Sequence, residues 1–88
     1  MLPDVPEATE FAQRFGALLR EHRGDRRQIP VAHAAGVSNT TYSDYERGLS
    51  LPSLRVALQL LHILDIDPAE VLALLRPEPN GGDKGVAA

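Results

Sequence analysis

Polar side chains crowd the stretch from Ser38 to Arg47, between two glycines at 36 and 48. If that stretch is helical, at about 100° per residue from Asn39, then Thr40 falls at about 100°, Ser43 at about 40° and Arg47 at about 80°. These four share one face. Tyr42 and Tyr45 fall at about 300° and about 240°, on the opposite side. Such a helix has hydrogen-bonding groups outside and an aromatic anchor inside, which is what a reader of a DNA groove needs.

Other chemistries find less support. His22, His33 and His62 lack metal-ligand spacing and the chain has no Cys, so no metal site is expected. The serines are accompanied by no nucleophile elbow, phosphate loop or dinucleotide fingerprint. Neither an enzyme nor a cofactor is expected.

The charge distribution favours nucleic acid in one region. The 88 residues carry a net charge of −3, although neutralising phosphates calls for Lys and Arg. Between Glu10 and Arg55, however, seven Arg stand against five acids, a balance of +2, while residues 1–9 carry −2 and residues 56–88 carry −3. Arg20, Arg23, Arg26 and Arg27 cluster just ahead of the polar stretch.

The elements that would position these groups are helices. Phe11, Phe15, Leu18 and Leu19 recur at helical spacing and predict a helix from Ala8 to Arg23, ended by Gly24. A short second helix follows the polar link Asp25–Arg27, beginning no earlier than about Arg27 because Pro30 is tolerated only in a first turn. Ser38 caps the third helix, Ser53 the fourth, and Asp67 with Pro68 and Glu70 the fifth, which is expected to run through Leu75. The expected organisation is a flexible lead-in over 1–7, one all-α domain over 8–76 and a disordered tail over 77–88. No segment is long and apolar enough for a bilayer and no signal-like segment is seen, so a cytoplasmic protein is expected.

The run QIPVAHAAGVSNTTYSDYERG, residues 28–48, has the layout of a helix-turn-helix. Ala32 is small where the two helices cross, Gly36 permits a positive φ, and Val37 plugs the space between them. The wider pattern resembles the Cro and phage-repressor regulators of the XRE family. It includes Tyr45-Glu46-Arg47-Gly48, Pro52-Ser53-Leu54, Leu64-Asp65-Ile66 and Glu70-Val71-Leu72, and spans about Phe15 to Leu72. The resemblance implies a five-helix, lambda-repressor-like domain with its helix-turn-helix at about 28–47, binding double-stranded operator DNA, usually as a homodimer.

Carried over by position, the resemblance makes Asn39, Thr40, Ser43 and Asp44 base-reading residues, and Gln28, Ser38, Arg27 and Arg47 phosphate contacts. Asn can pair bidentately with adenine, Thr can offer its methyl to thymine, and Asp can accept from the cytosine amino group. It also implies an ion pair of Glu46 with Arg20, or with Arg23 because the link between the first two helices is one residue longer than usual. Two further departures are Pro30 and the loop Leu49-Ser50-Leu51, which lacks phosphate-gripping cations.

The expected core is Leu18, Val31, Ala32, Val37, Tyr45, Leu54, Leu58, Leu61 and Leu64, with Ala35 and Tyr42 also facing inward. Val71, Leu72, Leu74 and Leu75 exceed what a short last helix needs, which points to a dimer through the C-terminal half. A different class of function stays open. Net acidity, Asp44 and the uncharged loop also suit a protein-binding module on this scaffold, an antitoxin or adaptor.

Overall fold

Ser38, Ser53 and Asp67 each close a helix N-terminus with their own side chains. Ser38 accepts from the Thr41 amide at 3.0 Å and Ser53 from the Val56 amide at 3.3 Å. Asp67 accepts from the Ala69 amide at 2.9 Å while Glu70 accepts from the Asp67 amide at 3.3 Å, so both backbone donors are met reciprocally. In the computed structural model, which describes residues 6–75, the helices are α1 (Pro6–Arg23), α2 (Gln28–Ala35), α3 (Asn39–Glu46), α4 (Leu54–Leu64) and α5 (Pro68–Ala73). No strand occurs among the described residues.

α1 begins at Pro6, within the segment expected as lead-in, since proline is pre-organised for a first helical position. The rest of the lead-in and the tail over 77–88 lie outside the described residues. Arg27 is the residue before α2, and Pro30 occupies its third position, where its missing N–H costs no intrahelical bond. α5 is shorter than expected, stopping at Ala73 with a turn through Leu75.

Gly36 ends α2 in the left-handed region at φ 79°, and the Val37 amide reaches back to the Ala32 carbonyl at 3.0 Å. That turn sets the angle between α2 and α3. α4 ends the same way on a residue other than glycine. Asp65 sits at φ 59°, and the Ile66 amide bonds the Leu61 carbonyl at 2.8 Å, which carries the Ile66 side chain into the core at 4 % exposure.

The core joins Phe15, Leu18 and Leu19 of α1 to Val31, Ala32 and Ala35 of α2, Tyr42 and Tyr45 of α3, and Val56, Leu60, Leu61 and Leu64 of α4. Val37 packs partly buried against it. Leu54 and Leu58 do not belong to it, contrary to expectation, being 75 % and 53 % exposed. α4 is apolar nearly all round, so its pattern does not name the inward side. The buried residues of α4 are Val56, Leu60, Leu61 and Leu64. Leu58 lies about 160° from Val56 and Leu60 on the helical wheel, whereas Leu54 falls close to Leu61 in angle and is exposed at the first position of the helix.

α5 contributes no fully buried residue. Val71 and Leu74 pack partly buried on the core, and α5 is tied to α1 by His22 Nε2 at 3.1 Å from Glu70 Oε1 and by Arg14 Nη1 donating to the Leu74 carbonyl at 3.3 Å.

Candidate nucleic-acid interface

α3 is pinned at both ends. At its N-terminus Ser38 caps the first turn, and its hydroxyl donates to Thr41 Oγ1 at 2.8 Å. The amides of Asn39 and Thr40, in the first turn, have no intrahelical acceptor and point where an anion could dock.

At the C-terminus Glu46, 8 % exposed, gathers three elements. Arg23, the last residue of α1, donates through Nε at 2.6 Å and Nη2 at 2.9 Å, and Gln28, the first residue of α2, donates through Nε2 at 2.9 Å. The partner is therefore Arg23 and not Arg20. Arg23 stands next to the link and also donates to the Arg26 carbonyl at 2.5 Å, whereas Arg20 lies one turn back, exposed at the mouth of the adjoining cleft.

Burial alone would raise the Glu46 pKa. Hydrogen bonds from Arg23 and Gln28, the nearby Tyr42 hydroxyl and the Arg23 charge outweigh that and hold it below the usual carboxylate range. Arg23 is raised in turn, chiefly by its bond to Glu46. The Tyr42 hydroxyl lies fully buried beside the carboxylate without a well-aligned hydrogen bond, and burial followed by Glu46 pushes its pKa upward. Its ring packs edge-on against Tyr45, centroids 6.5 Å apart.

Gly16 is a positioning residue that the sequence did not announce. A Cβ there would collide with the carbonyls of Tyr45 and Glu46, so α1 passes the end of α3 at backbone distance. Its only signal was a glycine inside a well-formed helical pattern, a cue for close approach.

On the outer face, Asn39 and Thr40 are exposed and Ser43 and Asp44 half-buried, side by side on α3. Exposed Arg27 and Arg47 flank them at the start of α2 and the end of α3. Arg47 Nη1 lies 3.9 Å from Asp44 Oδ1, so the acid on this face has a cation at its side. Gln28 spends one amide hydrogen on Glu46 and retains the other. Arg20, Arg23, Gln28, Ser43, Glu46 and Arg47 line one cleft along this face, which adds Arg20 to the cations near it. Leu49, Ser50 and Leu51 are exposed and bring no charge.

A short helix, a glycine turn and a second helix whose polar face is exposed define a helix-turn-helix within an all-α domain. A family model described as helix-turn-helix matches residues 17–71, over half the chain, and the chain belongs to that family, the Cro/C1 or XRE type of DNA-binding regulatory domain. No curated protein matches the chain significantly. Among the described residues no helix is long and apolar enough to cross a membrane.

Proposed function

We propose that this protein is a sequence-specific transcriptional regulator, acting as a repressor in the cytoplasm. It binds a palindromic operator as a homodimer through the C-terminal half. The supporting observation is the outward row of exposed Asn39 and Thr40 and half-buried Ser43 and Asp44 on a helix locked to its scaffold by the Arg23–Glu46–Gln28 cluster. A rigid helix with short polar side chains suits the major groove, where base edges offer distinct donor and acceptor patterns. Asn39, Thr40, Ser43 and Asp44 read bases, while Gln28, Ser38, Arg27 and Arg47 hold phosphates. Two copies related by a two-fold axis would set their reading helices about 34 Å apart, one turn of B-DNA.

The test is selection of bound duplexes from a randomised pool, followed by affinity measurements across a salt series. Enrichment of an inverted repeat, with affinity falling steeply as salt rises, is the expected result. Absence of any enriched sequence, with no salt-sensitive binding, overturns the reading. In that case the adaptor or antitoxin reading replaces it, which the net charge of −3 and Asp44 on the exposed face favour.

A further inference from the structure

α4 also exposes a stripe of two leucines and a histidine beside its buried face. Leu54, Leu58 and His62 follow one another at four-residue spacing and are all exposed, so they stack one above the next. Beside them runs a shallow groove lined by Ala34, Arg55, Leu58, Gln59, His62 and Ile63. It continues past Leu58 and His62 to Asp65 and Pro68. Exposed leucines in contiguous rows mark surfaces that take a partner.

Resting on the dimeric reading above, we propose that this face is covered by the same face of a second copy. The two α4 helices pack antiparallel about a two-fold axis near Leu58. The stripe is symmetric about that residue, with Leu54 four positions before it and His62 four after. An antiparallel copy therefore sets Leu58 against the partner's Leu58, and Leu54 against the partner's His62, as an isologous contact requires. Charge complementarity selects the same arrangement. Exposed Arg55 stands near the N-terminal end of α4 and exposed Asp65 just beyond its C-terminal end. Antiparallel copies bring each Arg55 toward the partner's Asp65, twice over, whereas parallel copies would juxtapose like charges. α5 offers less, because Val71 and Leu74 are turned onto their own core and only Leu72 and Leu75 remain exposed.

Because the chain contains no cysteine, a single introduced thiol reports the contact cleanly. Mild oxidation of Leu58→Cys is expected to give a disulfide-linked dimer that still binds the selected DNA, while Leu72→Cys stays monomeric on a denaturing gel. In sedimentation, Leu58→Asp with an unchanged circular dichroism spectrum is expected to self-associate at least about tenfold more weakly than the parent, the cost of burying unpaired charge in an apolar contact. The proposal is overturned if Leu72→Cys cross-links and Leu58→Cys does not, if folded Leu58→Asp remains as dimeric as the parent, or if the parent is monomeric both free and on DNA. Failure of the DNA-binding reading would look different. It would leave the parent without salt-sensitive binding to any duplex, whatever the cross-linking shows.

Discussion

Arg23 grips Glu46 through two nitrogens, at 2.6 and 2.9 Å, and thereby ties the last residue of α1 to the last residue of α3. The pair is largely out of water, with side-chain exposures of 16 % and 4 %. In such a place each charge depends on the other, and the orientation of α3 depends on both.

Arg23→Ala strands the Glu46 carboxylate and is expected to cost about 3 to 5 kcal/mol of stability. Arg20→Ala, which removes an exposed cation, should stay within about 0.5 kcal/mol of the parent. Urea denaturation of the two variants checks the difference, and equal losses would mean that the pair is not structural.

Acid should act through the same carboxylate. Glu46 has its folded pKa depressed below its unfolded value of about 4.3. The unfolded state therefore binds the proton more readily, and the pair's contribution is fully present above that value and lost as pH falls through the folded pKa. Glu46→Gln should flatten stability against pH in the acid range, measured by thermal melts at stepped pH below about 5.

Gly16→Ala places a methyl against the Tyr45 and Glu46 carbonyls and should cost about 1 to 3 kcal/mol as α1 and α3 are forced apart. An ordinary helix site would gain from the same change. A higher melting temperature for Gly16→Ala would therefore refute the close approach.

Asn39 and Arg47 should differ in kind when DNA binding is measured. Asn39→Ala is expected to cost about 1 to 3 kcal/mol on the selected operator and to relax preference at one base pair, with non-specific binding nearly unchanged. Arg47→Ala should weaken binding to every duplex and reduce the salt slope by about one ion.

Asp44 separates a base reader from a repelling acid. If it accepts from cytosine, Asp44→Asn changes the preferred base at one position, as a second round of selection would reveal. If it only opposes phosphates, the same substitution raises affinity for all duplexes alike.

The capped and glycine-ended helix boundaries were legible in the sequence because caps and terminators act within a few residues, whereas the start of α1 and the end of α5 were not. Ser38, Ser53, Asp67 and Gly36 do their work on backbone groups no more than five positions away, so local order contains the whole interaction. The division of α3 into a polar and an aromatic face was legible for a similar reason. Its two kinds of residue differ enough that helical spacing alone separates them.

Four features were decided only when the helices met. α4 is apolar on most sides, and the choice of Val56 and Leu60 over Leu54 and Leu58 as core residues came from where α1 and α2 lie against it. Arg20 and Arg23 sit one turn apart on the same helix, and the path of the link from Gly24 to Arg27 put the second of them beside Glu46. Gly16 and Asp65 carry out roles that show only in three dimensions, a backbone crossing and a left-handed turn that seats Ile66. The reason is physical: periodicity says that a helix has an inner side, but which side is inner depends on the surfaces opposite, and those belong to residues distant in the chain.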